Sequence, residues 1–286
     1  MFRLGLDFGS TLTKMALTKP GEKDYPSPQA VFQYRTNDYV PDFYKALETF
    51  LLKENIPINA IDHISATGTH ANLVKDNILE IPTRIVPEVE SIGLGGLALS
   101  ELEEALVVNT GTGTTYIDAS EQGFRHLGGT GVGGGTLTGL GHSLLGCSSV
   151  HEIVRMASRG KLENVDLLIG DVTDQEMEHL PPYLTAANFG KLAHPLYTQQ
   201  ASRAGKEDLA VALINLVLQV IGSMAVMICK SCHKTNVVFV GSLTRLPQAK
   251  DIYSMFSNVY GLQFIIPPFA AFGTALGSTL VSSQEV

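Results

Sequence analysis

Tryptophan is absent from this sequence of 286 residues, cysteine occurs only three times, and charged side chains make up 17%. Three cysteines cannot close a disulfide framework, which sets aside the stapled secreted scaffolds. The formal net charge is -8, a field that repels phosphate backbones and gives no footprint for nucleic acid. The opening stretch MFRLGLDFGS lacks the basic segment and following apolar run of a secretory signal, so a cytoplasmic protein is expected. Long hydrophobic runs are scarce too. The one from Leu209 to Cys229 matches a bilayer in length, yet Asn215, Gln219, Gly222 and Ser223 interrupt it. It reads as a buried helix, and no membrane partner is expected. It ends in Cys229, Cys232 and His233, the spacing of a c-type haem attachment. Without an export signal or a second cysteine pair, neither haem nor zinc is expected there.

What the sequence has in quantity is glycine, 28 residues, and apolar content, 44%, enough for two α/β units with many tight turns. The segment Leu4 to Leu17 reads as a strand, a glycine turn and a second strand. It recurs without gaps at Leu106 to Ala119, with Asn109 under Asp7 and Gly111 under Gly9. A second echo pairs Ile64 to Thr69 with Val238 to Ser242, each a strand running into glycine and a hydroxyl. Two halves of one design are therefore expected, 1–103 and 104–286, each a mixed, largely parallel sheet flanked by helices. Strands are expected at 2–9, 13–20, 31–36, 61–67 and 83–87 in the first half, with helices at 40–54 and 90–102. In the second half, strands are expected at 104–110, 114–119, 122–127, 236–241 and 263–266. Helices there are expected near 134–158, 207–231, 247–258 and 270–283, with a polar insertion at 160–205. A ligand belongs in the crevice between the halves.

Chemistry concentrates in three places. The run Asp7, Phe8, Gly9, Ser10, Thr11, Leu12, Thr13, Lys14 is a polar turn between strands. Its amides, hydroxyls and ammonium suit a polyphosphate, and Asp7 suits Mg²⁺ held through water. Its repetition around Thr112 and Thr115 suggests a two-jawed clamp. The block from Gly128 to Thr136 has six glycines in nine residues and opens an apolar helix, whose first amides are expected to face nucleotide phosphates. Glu88 and Glu90 open another helix at a strand end, where either could cap the helix or act in catalysis.

These residues resemble a known family. DFGSTLTK (7–14), NTGTGTT (109–115), GGTGVGGGTLTGLG (128–141), LTAANFG (184–190) and VGS (240–242) are similar, in order and spacing, to the type II pantothenate kinases. The resemblance spans nearly the whole chain. It implies an α/β, duplicated actin-like (ribonuclease H-like) ATPase fold, two halves around a nucleotide cleft. It also implies ATP and Mg²⁺ as cofactors, pantothenate as substrate, and a homodimer, which the long apolar helix would also suit. Residue by residue, Glu88 matches the general base and Asp7 to Lys14 the first phosphate loop. Gly134, Gly135, Thr136, Leu137, Thr138 and Ser242 match nucleotide-binding positions, and Thr112 and Thr115 match hydroxyls near phosphate and substrate. One departure stands out. The family has arginine directly before the hydrophobic residue and double glycine, whereas this chain has His126 there and Arg125 one position earlier. Either is a candidate for holding the substrate carboxylate. A sugar or N-acetylhexosamine kinase on the same scaffold would share every phosphate motif, and a nucleotide-gated actin-like protein without an acceptor is the non-enzymatic alternative.

Overall fold

The computed structural model describes residues 1–20, 27–35, 41–74, 77–173, 180–197 and 204–282. The first sheet is built from β1 (Phe2–Phe8), β2 (Leu12–Thr18), β3 (Ala30–Arg35), β4 (Ile61–Thr67) and β5 (Thr83–Ile85), in the order β3-β2-β1-β4-β5. Strands β1, β2 and β3 pair antiparallel, and β4 and β5 join in parallel. The second sheet repeats this plan with β6 (Glu104–Thr110), β7 (Thr114–Ser120), β8 (Gly123–Thr130), β11 (Asn236–Val240) and β12 (Gln263–Ile265), in the order β12-β11-β6-β7-β8. Pairing senses match strand for strand. The duplication read from the two echoes is thus a duplication of whole sheets.

Alternation decides which face each strand buries. Leu4, Leu6 and Phe8 of β1 join Met15 and Leu17 of β2 against Phe43, Leu47 and Phe50 of α1 (Pro41–Lys53). The opposite face carries Gly5, Asp7, Lys14 and Ala16. In the second sheet Leu106, Val108 and Tyr116 face Leu213, Val217 and Ile221. These belong to the long apolar run, a helix spanning Lys206–Ser231. That helix is long and apolar enough to cross a membrane, and one side of it forms the center of the larger core. Its partners are α3 (Gly134–Leu145), α4 (Val150–Ala157) and the helix Pro247–Tyr260. With the short α5 (Ile169–Val172) counted, the long helix is α6, Pro247–Tyr260 is α7, and Gly273–Ser278 is α8.

Two helices are exchanged between the sheets. The helix α2 (Glu88–Ser100) follows the first sheet in sequence, but its Ile92 and Leu97 pack on Val107, Ile117 and Val240 of the second. Helix α8 follows the second sheet and packs on Ala16 of the first. Each sheet keeps strands from its own part of the chain, while α2 and α8 each cover the other sheet. Where α2 and α8 cross, backbones touch: a Cβ on Gly277 would lie 1.8 Å from Ser91 O, and one on Gly95 would lie 1.9 Å from Gly273 O.

Several expected boundaries move. The helix expected at 134–158 is two helices, because Gly146 takes a left-handed conformation (φ 72) and the Ser149 hydroxyl accepts from the Glu152 amide to start α4. The strand expected at 122–127 continues to Thr130 through a bulge at Leu127, where Tyr116 faces Gly128 and Ile117 faces His126. The helix expected at 270–283 is a single tight turn followed by α8. Residue 283 lies outside the described residues, as do residues 36 and 40 of the expected strand 31–36 and helix 40–54. So do 174–179 and 198–203 of the insertion, whose described part includes a small hairpin of β9 (Leu167–Leu168) and β10 (Thr185–Ala187).

Candidate active site

The site is built where β1 and β6 end. Asp7 and Lys14 face each other across the β1–β2 pair, with Nζ 3.5 Å from Oδ2 and both residues buried. Burial pushes the Asp7 carboxyl above the usual carboxylate range, against the pull of Lys14. Behind Asp7, β4 ends in Gly68, whose φ of 96° and close approach exclude any side chain. A Cβ there would lie 2.8 Å from Asp7 Oδ1. The second half repeats the contact. Gly241 after β11 has φ 94°, and its Cβ would lie 2.7 Å from Asn109 Oδ1. The two turns meet across the cleft, with Ser10 Oγ 2.8 Å and Thr11 Oγ1 3.2 Å from Thr112 Oγ1.

The glycine block has a different partner from the one expected. The first two amides of α3 do not stand open: Gly134 N–H donates to Gly111 O and Gly135 N–H to Thr112 O, both at 2.9 Å. Glycine is needed because the block lies against the second turn. A Cβ on Gly133 would lie 2.5 Å from Thr112 O. Thr136 Oγ1 accepts from Gly133 N–H and donates to Gly131 O, and Thr138 Oγ1 donates to Gly134 O. The helix end braces the turn and holds Thr112 toward the cleft.

Both turns open into one cavity of about 1090 Å³. Of the expected residues, Asp7, Gly9, Ser10, Thr11, Leu12, Lys14, Glu88, Thr112, Thr115, Gly134, Gly135, Thr138 and Ser242 line it. Phe8, Thr13 and Leu137 are buried in the lobes, and Thr136 is used in the bonds just described. Glu88 is the first residue of α2. Its place is fixed from both sides: Thr67 Oγ1 donates to Val86 O at 3.0 Å, and Ser91 Oγ donates to Pro87 O at 2.8 Å. Partial desolvation between the cavity walls raises the Glu88 pKa. The nearby Asp7 charge raises it further, with Lys14 opposing. Glu90 is outside the cavity lining, and its charge acts on Arg84.

Neither Arg125 nor His126 lines the cavity. Arg125 Nη2 pairs with Asp118 Oδ2 at 3.1 Å, on the sheet face turned away from α2. His126 shares the α2 face with Phe124, whose ring packs at Gly93. It lies one step closer to the cavity-lining Gly129 than Phe124 does.

Residues from the least motif-like segments complete the cavity. Val150 and Val154 of α4, with Leu243, Leu246 and Pro247, form an apolar end of it. Gln33 of β3 and Arg245 also line it. No sequence signal marked them: valines on an amphipathic helix look like core, and β3 carries no turn motif. In the CxxCH run, Cys229 is buried with its thiol donating to Lys234 O at 3.1 Å. Among the described residues, no three His, Cys, Asp or Glu side chains converge as a metal-holding group.

Two copies of one sheet plan, closing on a cavity lined by paired hydroxyl turns, make this an actin-like α/β protein. Solved structures agree in fold. The activator of the 2-hydroxyisocaproyl-CoA dehydratase from Clostridium difficile, with bound ADPNP, superposes with a TM-score of 0.64 over 98% of this chain and 93% of that one, at 18% identity. Component A of the Acidaminococcus fermentans (R)-2-hydroxyglutaryl-CoA dehydratase gives 0.66 over 99% and 97%, at 15% identity. In sequence, a family model described as Fumble matches residues 100–278. The type II pantothenate kinase of Staphylococcus haemolyticus (strain JCSC1435) is 30% identical over 228 residues, 77% of this chain and 83% of that one. That of Staphylococcus aureus (strain USA300) is 28% identical over 247 residues, 84% of each. The chain belongs to the Fumble family, that of the type II pantothenate kinases.

Proposed function

We propose that the protein is an ATP-dependent kinase that converts pantothenate to 4'-phosphopantothenate, the first step of coenzyme A biosynthesis. The observation that carries this reading is Glu88, a carboxylate of raised pKa in the same cavity as the Asp7–Lys14 pair and both hydroxyl turns. The adenine sits at the apolar end against Val150, Val154 and Leu243, and the phosphates extend along the turns. The acceptor hydroxyl lies between Glu88 and the terminal phosphate. As its oxygen bonds to the γ-phosphorus, Glu88 takes its proton and ADP departs, so positioning and charge neutralization account for most of the catalysis. The cytoplasm, the homodimer and the division at 103/104 are parts of this same proposal.

Mg²⁺ fits Asp7. The carboxylate is buried, and its Lys14 partner stands at 3.5 Å, beyond a tight charged hydrogen bond. A hydrated cation would complete its neutralization and supply charge stabilization at the phosphates. Asp7→Asn is expected to raise the Mg²⁺ concentration for half-maximal turnover by about tenfold or more, with ADP binding measured without metal little changed. An unaltered Mg²⁺ titration would remove Asp7 from the metal's surroundings.

The function is tested by coupled ADP release with pantothenate, pantetheine and a panel of hexosamines. Pantothenate-dependent release supports the reading. Release with a hexosamine alone moves the substrate, and release independent of every acceptor favors a nucleotide-gated protein. Between the two candidate anchors for the carboxylate, His126 has the better position, since Arg125 is held by Asp118 on the other face. His126→Ala is expected to raise the pantothenate KM by about ten- to a hundredfold, roughly 1.5 to 3 kcal/mol for a charge-assisted bond. Arg125→Ala should leave it nearly unchanged. The reverse pattern would assign the anchor to Arg125.

A further inference from the structure

The ionizable groups around the cavity are unevenly matched. Asp7 and Glu88 are the lining carboxylates, and Lys14 is committed to Asp7 at 3.5 Å. A nucleotide polyphosphate brings several more negative charges into a chain whose net charge is already -8. Arg245 also lines this cavity, and among the described residues no carboxylate pairs with it.

Its place in the chain is well defined. Gly241 is pressed on Asn109 and donates its N–H to Ala270 O at 2.9 Å. The tight turn Ser242–Arg245 follows, closed by Thr244 Oγ1 donating to Gly241 O at 2.6 Å. Arg245 therefore stands between Ser242, beside the second hydroxyl turn, and Leu246 and Pro247 at the apolar end. Its guanidinium lies over the Phe272 ring, 5.3 Å from the centroid. That contact restrains the side chain and leaves the N–H edges for a ligand, because a guanidinium stacks through its face and donates in its plane.

We propose that Arg245 is a nucleotide-positioning residue, whose guanidinium donates to a phosphate of the bound adenine nucleotide. The inference rests on the cavity being the nucleotide site, and it does not depend on which alcohol is phosphorylated. It gives the second lobe a positive charge to match Lys14 of the first, so that the phosphate chain is held from both sides of the cleft. Planar, two-point donation to phosphate is a task for arginine more than for lysine.

The test is calorimetric binding of ADP and of adenosine, without metal, to the wild type, Arg245→Gln and Arg245→Lys. In Arg245→Gln, ADP affinity is expected to fall about ten- to fiftyfold, the range for losing a charge-assisted bond at a partly exposed site. Adenosine affinity should stay within about twofold, because its contacts lie at the apolar end. Arg245→Lys restores part of the loss, and raising the salt narrows the gap between wild type and Arg245→Gln. Equal losses for ADP and adenosine, or no loss for ADP, would overturn the proposal, as would a wild type that binds no ADP. A wild type that binds ADP but does not phosphorylate pantothenate overturns the substrate reading and leaves Arg245 standing.

Discussion

Glu88→Gln is expected to lower turnover by about 10² to 10⁴-fold, the range for losing a general base, while the fold and ADP affinity stay close to wild type. Glutamine keeps the shape and can still orient a hydroxyl, but it cannot take the proton. The pH profile gives a second reading of the same group. A base works only when deprotonated, so turnover falls as pH drops through its pKa. Desolvation and the neighboring Asp7 charge raise that pKa. The acid limb of kcat should therefore lie above the pH at which an ordinary glutamate titrates, and it should vanish from the residual activity of Glu88→Gln. Wild-type turnover in the mutant, or an unchanged acid limb, would transfer the role away from Glu88.

The second large effect is on stability. Gly277→Ala is expected to destabilize the protein by about 3 kcal/mol or more, the upper end for overpacking, because the added methyl would meet backbone that no rotamer change can clear. Its Cβ would lie 1.8 Å from Ser91 O and 2.5 Å from Gly95 N. A helical glycine with open space offers the contrast. Around Gly139 of α3 an added Cβ meets nothing within 4 Å, so Gly139→Ala should be neutral or stabilizing by up to about 1 kcal/mol. Denaturant midpoints of the two variants measure the difference. Similar midpoints would mean that α2 and α8 do not cross as closely as described.

Much of the fold could be read from the sequence because it is written locally. Strands β1, β2, β6 and β7 are short apolar runs that flank polar glycine turns, and the Asp7/Asn109 echo marks the duplication in the sequence itself. The pair of glycines behind those turns, Gly68 and Gly241, belongs to the second echo, and their positive φ explains why each strand had to end in glycine. Pairwise distance information is what the sequence withholds. The glycine block signals close approach without naming its partner, which is the Gly111–Thr112 backbone and leaves fewer open amides than expected. Arg125 and His126 could not be ordered by alternation alone, because the bulge at Leu127 resets the register and Asp118 claims Arg125. Gln33, Val150, Val154 and Arg245 carry no local mark of a cavity. They meet only after three separate elements have docked.

The exchanged helices bear on how the chain is made. Strands β1 to β5 emerge from the ribosome with α1 available for one face only. The other face, around Gly5 and Ala16, is covered by α8, residues 273–278. Until those residues have been synthesized, the first lobe displays a bare sheet surface. Helix α2, next to emerge, belongs on a second sheet not yet translated. Neither lobe can be finished ahead of the other, although domains ordinarily fold in the order of their synthesis. The nascent protein must therefore hold an incomplete first lobe through most of translation, exposed to the chaperones that receive apolar surface, and completes both lobes together at the end.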